Sequence, residues 1–250
     1  MFYHDLSATY LNTPDWHGNY FDILFQRVQQ TPYLKEHRDW VEQNEYGMND
    51  RPHHAMWSAI VETMPNIFTA LEVGVYRGQV VSLWGLIAKH LGKTPFIFGV
   101  SPFAGTNDTV NSYSKSLNYL DNVKTIFDRF QVPFDWFTPI KGMSQQQDVI
   151  EEAENYAPYD IIYIDGGHEY ESVRQDIENY ATMLDKGGIL VMDDASCNLN
   201  MPPFSQDKGY NRCWAGVQTV SDAVRDFLEP RTDFVHRFAV GHNRVFEKTK

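Results

Sequence analysis

The chain has 250 residues with 42% hydrophobic side chains, enough for one large domain, or a domain with a substantial extension, around a full core. Its formal net charge of −12 speaks against binding a nucleic-acid backbone, which requires a basic patch. No apolar run approaches bilayer-spanning length, no cleavable leader is visible, and the two cysteines, Cys197 and Cys213, lack metal-ligand spacing, so a cytoplasmic protein with reduced thiols is expected.

Residues 1–64 are aromatic, polar and interrupted by Pro14, Pro32 and Pro52. Short helices are expected there over 21–30 and 54–63, forming an extension or substrate cap on a domain that spans 65–250. Beyond Pro65 the pattern becomes regular. A strand at 67–73 leads into a helix marked by Val80, Val81, Trp84, Ile87, Ala88 and Leu91 and closed by Gly92. A strand at 96–100, a helical region at 113–130, a strand at 134–140 and a helix from Gln145 follow. The fourth strand ends at Asp165, and Tyr170, Val173, Ile177, Ala181 and Leu184 mark the next helix. Gly187-Gly188 turn the chain into a fifth strand ending at Asp193-Asp194. Alternation at this rhythm predicts an α/β fold, a parallel sheet with helices on both faces. Residues 233–240 and 244–247 flank Gly241-His242-Asn243 and read as a terminal hairpin.

Two of these apolar strands stop abruptly in carboxylates. Packing asks for the apolar run but not for the acids, and open α/β sheets bind ligands where their strands' carboxyl ends emerge. A single Asp at a strand end commonly caps the next helix. Three acids on neighbouring strands about 4.8 Å apart repel unless a cation or a proton intervenes. Asp165, Asp193 and Asp194 are therefore candidate ligands for a hard dication, Mg²⁺, Ca²⁺ or Mn²⁺ rather than zinc. His168, three residues past Asp165, is suited to take a proton from a hydroxyl at the same crevice. The His53-His54 pair shows no convincing metal spacing and reads as surface, with a substrate-side role as the lesser alternative. The His-x-Asp of His37-Arg38-Asp39 reads as surface because it lies in the N-terminal extension, away from the crevice.

The first strand and helix are joined by Glu72-Val73-Gly74-Val75-Tyr76-Arg77-Gly78. This loop lacks the middle glycine of a dinucleotide fingerprint, which argues against a pyrophosphate and a nicotinamide oxidoreductase. Glu-x-Gly-x-Tyr-x-Gly is similar to the first motif of S-adenosylmethionine-dependent methyltransferases, especially those resembling catechol O-methyltransferase. Gly142-Met143-Ser144-Gln145 matches the Gly-x-Ser-Gln that this group carries after its third strand. Asp165 and His168 match its acid and general base, and Asp193-Asp194 match its acidic pair after strand five. The stretch from Asp165 to Val173 also looks like that of macrocin O-methyltransferase relatives. The four motifs occur in the family's order within residues 65–250.

The resemblance implies a Rossmann-like methyltransferase fold, a mostly parallel seven-stranded sheet with a C-terminal antiparallel hairpin. It implies S-adenosylmethionine held by Glu72, Gly74, Tyr76, Gly78, Ser101, Ser144, Gln145 and Asp165. It also implies Mg²⁺ on Asp165, Asp193 and Asp194, and His168 as catalytic base for methylating a hydroxyl of a small molecule (a diol, sugar or catechol). Two positions depart from the family pattern. Ser101 stands where an acid usually holds the ribose and can supply only one of the two hydrogen bonds, with Asn107 or Asp108 as substitutes. Val80 stands where a serine often touches the cofactor carboxylate. A metal-independent N- or C-methyltransferase and a non-catalytic cofactor-binding scaffold stay open at this point, as do homo-oligomerisation and the acceptor's identity. The loop over 195–210, with Pro202-Pro203-Phe204, is expected to act as a lid.

Overall fold

A computed structural model describes residues 3–13, 17–47, 52–105, 118–199 and 215–250. Four helices precede the first strand: α1 (Tyr3–Asn12), α2 (His17–Gln30), α3 (Pro32–Asn44) and α4 (His53–Thr63). This is more helix than the proline-broken pattern predicts. Pro32 begins α3 instead of breaking it, because the first helical turn has no use for its missing N–H.

The regular part follows the predicted alternation: β1 (Ile67–Val73), α5 (Gln79–Leu91), β2 (Thr94–Ser101), α6 (Tyr119–Arg129), β3 (Phe137–Lys141), α7 (Gln147–Glu154), β4 (Tyr159–Ile164), α8 (Tyr170–Tyr180), β5 (Leu184–Met192), α9 (Gln218–Phe227), β6 (Phe234–Val240) and β7 (Asn243–Lys248). Gly92 closes α5 in the left-handed region, and the Lys93 N–H reaches back to the Ala88 carbonyl at 2.9 Å, satisfying an otherwise orphaned acceptor. Residues 134–136 form a 3-10 turn, so β3 starts later than expected. β5 starts earlier. It runs through Gly187 and Gly188, with its register on β4 shifting between Tyr159 and Ile161.

The sheet order is β3-β2-β1-β4-β5-β7-β6, with β7 antiparallel to both its neighbours and β1 to β5 parallel. The expected mostly parallel seven-stranded sheet with a C-terminal antiparallel hairpin is thus present. Strand alternation divides the interior in two. Ala70, Ile161 and Val191 face a core shared with α1 to α6, whereas Leu71, Ile162 and Leu190 face one shared with α7, α8 and α9. The N-terminal helices lie on the first of these faces, where the Tyr3 ring meets Phe238 of β6 at 5.5 Å. The chain moves outward from β1 to β2 and β3 on one side and from β4 to β5 on the other. The crevice of an open α/β sheet belongs at that reversal, above β1 and β4.

Candidate functional site

A cleft of about 250 Å³ opens there, and Gly74, Tyr76, Ser101, Ser144, Gln145 and Asp165 all line it, as does His168. Of the residues expected around the donor, only Glu72 and Gly78 lie off its wall. Gly78 adopts φ +91° as the N-cap of α5, and a Cβ there would stand 3.0 Å from Val123 Cγ2 of α6. Its glycine answers to helix packing. At Gly74, with φ +106°, a Cβ would overlap the Asp165 carbonyl, so this glycine lets β1 and β4 approach at the cleft's floor. Glu72 is buried beneath the loop. Burial pushes its carboxyl up to about 8, against a hydrogen bond from the Val81 backbone in the first turn of α5. Its Oε2 has no hydrogen-bond partner.

The opposite wall is latched to α8. Gln145 Nε2 donates to Ser172 Oγ at 3.0 Å and to Asp176 Oδ1 at 2.9 Å, and the Tyr180 hydroxyl donates to the Ser144 carbonyl at 2.8 Å. Ser101 Oγ accepts the Phe103 N–H at 3.0 Å, so its one oxygen already supports the turn after β2. Asp176 is fully buried, and burial pushes its carboxyl up to about 7 against hydrogen bonds from Ser144 and Gln145. It was absent from the expected site, yet its signal is legible: Val173, Asp176, Ile177 and Tyr180 form the buried stripe of α8, and an acid on such a stripe needs a polar partner.

The acids at the ends of β4 and β5 come together as their sequence pattern predicts. Pairing continues one residue past each strand, with Asp165 N–H to the Val73 carbonyl at 2.8 Å and Asp193 N–H to that of Ile164 at 3.0 Å. Burial, the Asp193 charge and a hydrogen bond to Asp193 together hold the Asp165 carboxyl well above the usual range. Asp193 is held below its usual value although burial opposes this, chiefly by His242. Asp194 sits at φ +51° and its Oδ2 is 3.1 Å from His168 Nε2. A tight group of ligand-type atoms within 4.8 Å of one another comes from Asp193, Asp194 and His242, and Asp165 is not in it. This donor set fits a dication: two carboxylates and an imidazole, converging and largely buried. The cleft, with its glycine floor and hydroxyl and amide wall, fits an uncharged polar adenosine as well.

Several histidines read as surface are in fact buried. His53 and His54 are each 1% exposed and His37 is 0% exposed. His37 Nδ1 meets His54 Nε2 at 2.9 Å, and its Nε2 meets Ser82 Oγ at 3.0 Å. Trp57 Nε1 donates to His53 Nε2 at 2.8 Å. The rings follow the interior face of α3 and α4, which short irregular windows do not reveal. Asn107, Asp108, Cys213 and Pro202-Pro203-Phe204, with most of the expected lid, lie outside the described residues.

A family model described as a methyltransferase domain matches residues 71–195, half of the chain. The chain belongs to this methyltransferase domain family. Its resemblance to Rossmann-like, S-adenosylmethionine-dependent methyltransferases, drawn from four motifs, is thereby borne out. No curated protein sequence matches the methyltransferase significantly. Solved structures do match its fold. A Staphylococcus aureus protein assigned as a caffeoyl-CoA O-methyltransferase is 17% identical, with a TM-score of 0.63 over 93% of this chain and 99% of that one. The O-methyltransferase from Bacillus cereus, solved in complex with SAH, is 13% identical, with a TM-score of 0.59 over 94% and 100%. The O-methyltransferase TomG from Streptomyces achromogenes, solved with SAM, is 11% identical, with a TM-score of 0.56 over 94% and 99%. No helix among the described residues is long and apolar enough to cross a membrane.

Proposed function

We propose that the protein transfers a methyl group from S-adenosylmethionine to a hydroxyl of a small molecule bearing neighbouring oxygens, such as a diol, sugar or catechol, with a divalent cation beside the donor. The observation that carries this reading is the continuity of the cleft under Gly74 and Tyr76 with His168, which itself touches Asp194 of the acid cluster. Gly74, Tyr76, Ser101, Ser144 and Gln145 line the donor's side, and Glu72 and Gly78 support it by holding the glycine loop and α5 in place. S-adenosylmethionine supplies the methyl on a sulfonium. A dication, Mg²⁺ in the enzymes this sequence resembles, would be held by Asp193 and Asp194 with Asp165 in contact with Asp193, and supplies the Lewis acidity that lowers a hydroxyl's pKa.

The remaining chemistry belongs to the side chains. Asp194 is an acceptor toward His168, so the neutral imidazole carries its proton on Nε2 and its basic lone pair on Nδ1. His168 takes the acceptor's proton there, and Asp194 stabilises the imidazolium that results. Transfer merges a sulfonium with an oxyanion, so the protein gains rate mainly by alignment and by excluding water. Residues 1–64 would flank the acceptor's side in this scheme.

The test uses labelled S-adenosylmethionine with a panel of diols and catechols, with and without chelator. Transfer to oxygen that collapses on chelation and returns with added dication is the expected result. Undiminished transfer under chelation would remove the cation from the reading, and donor binding without any transfer would favour a scaffold. His168→Gln is expected to lower kcat by about 10² to 10⁴ while leaving donor affinity, measured by calorimetry, within about twofold.

A further inference from the structure

The acid pair at the end of β5 is closed on its far side by the terminal hairpin. β7 runs antiparallel to β5 with Arg244 opposite Met192, so the turn before β7 falls beside Asp193 and Asp194. The Ala195 N–H donates to the His242 carbonyl at 2.8 Å and fastens that turn to the chain leaving the pair. Hairpin turns ordinarily face water, but His242 is only 4% exposed. Its Nε2 stands 3.2 Å from Asp193 Oδ1, and ligand-type atoms of His242, Asp193 and Asp194 all lie within 4.8 Å of one another. Two donors bound at right angles to one ion, each about 2.1 Å from it, stand about 3.0 Å apart. A contact at this distance fits two ligands of one ion.

An independent observation comes from α4. His53 Nε2 accepts the Trp57 indole N–H, so its proton is on Nδ1. That Nδ1 is buried without a hydrogen-bond partner, and the charged groups acting on it are Asp193 and His242. Glu72, which also feels Asp193, has its own buried Oε2 without a partner. Buried polar atoms from β1 and α4, each in the field of Asp193, thus lack hydrogen-bond partners. Such orphans are rare in a finished interior and signal a missing ion or its water.

We propose that His242 is a protein ligand of the cation, forming with Asp193 and Asp194 a mixed nitrogen and oxygen centre that takes a first-row transition dication of the Mn²⁺ or Fe²⁺ kind in preference to Mg²⁺. This rests on the metal-assisted reading above and changes both its ligand set and its metal. An imidazole adds little for Mg²⁺, which prefers oxygen and keeps its waters, and adds affinity for the transition metals. Asp165 follows Ile164, whose carbonyl accepts the Asp193 N–H, and would support that ligand from the outer shell. The buried His53 Nδ1–H would be available to hydrogen-bond an oxygen carried by the ion.

The full chain is titrated with Mn²⁺ and followed by electron paramagnetic resonance, with Mg²⁺ as competitor and pulsed detection of nitrogen coupled to the bound ion. The expected result is bound Mn²⁺ showing imidazole ¹⁴N modulation, displaced only by at least about tenfold excess Mg²⁺. His242→Gln should abolish the modulation and weaken Mn²⁺ by about tenfold or more, while His168→Gln should keep both. Mn²⁺ bound without imidazole modulation in the unaltered protein, or modulation that survives His242→Gln, would overturn the assignment of His242 and leave metal-assisted transfer standing. Mn²⁺ displaced by equimolar Mg²⁺ would overturn the metal preference. Absence of any bound Mn²⁺ would overturn both this inference and the cation in the proposed function. The unaltered protein's spectrum decides the ligand even if His242→Gln fails to fold.

Discussion

Asp176 illustrates what one residue does to the energetics of the whole. Its carboxyl is raised from 3.8 to about 7, first by burial, so the folded state binds a proton that the unfolded state has already lost. Stability contributed by this group is therefore fully present below pH ~4 and declines as pH rises to ~7, by on the order of 4 kcal/mol. Glu72, raised to about 8, adds a decline of the same sign. Asp176→Asn keeps an acceptor for Gln145 and cannot ionise. Denaturant unfolding of the variant between pH 5 and 7 should show a visibly flatter decline than the parent chain, and an unchanged slope would mean that Asp176 is ionised in the folded protein. At this scale the sequence was partly legible. The acids at 165, 193 and 194 announced themselves by interrupting apolar runs, whereas His53 and His242 did not, because their partners lie far away along the chain and no local pattern connects them.

At the scale of elements, the glycine loop divides its labour. The motif reads as one cofactor-binding unit, yet Gly74 serves a close approach of β4 and Gly78 serves α6, with a Cβ at 78 only 3.0 Å from Val123 Cγ2. Gly92 has a similar left-handed backbone but open space around its missing Cβ. Gly92→Ala should then cost only the conformational penalty of about 1 to 2 kcal/mol, and Gly78→Ala should cost more, as read from denaturation midpoints at constant m-value. Equal losses would mean that α6 yields without cost. The same division explains why strand and helix positions were legible from periodicity while their boundaries at β3 and β5 were not. Phe134 of the 3-10 turn before β3 packs on Phe127 of α6 at 5.5 Å, and the register shift in β5 arises in its pairing with β4.

At the scale of the molecule, the described residues of the N-terminal segment close the core. Trp57 packs edge-on to Trp84 of α5 at 5.0 Å, and both are fully buried. Removing residues 1–64 would uncover that face of α5 and the adjoining face of the sheet, so the remaining chain should bind hydrophobic dyes and aggregate on size-exclusion chromatography. A monodisperse, cooperatively unfolding fragment would show instead that the segment is a detachable cap. By itself the sequence determined the α/β alternation, the acid-tipped strands, the glycine loop and, through four ordered motifs, the methyltransferase family. Each is written in a period or spacing within a few dozen residues, which local geometry converts directly into structure. Only the tertiary structure decided that His242 of the last hairpin meets Asp193 and that His53 of the fourth helix is buried within reach of its charge. Those pairings join distant segments whose positions are set by sheet order and burial, and the acid-tipped strands supplied only one side of them.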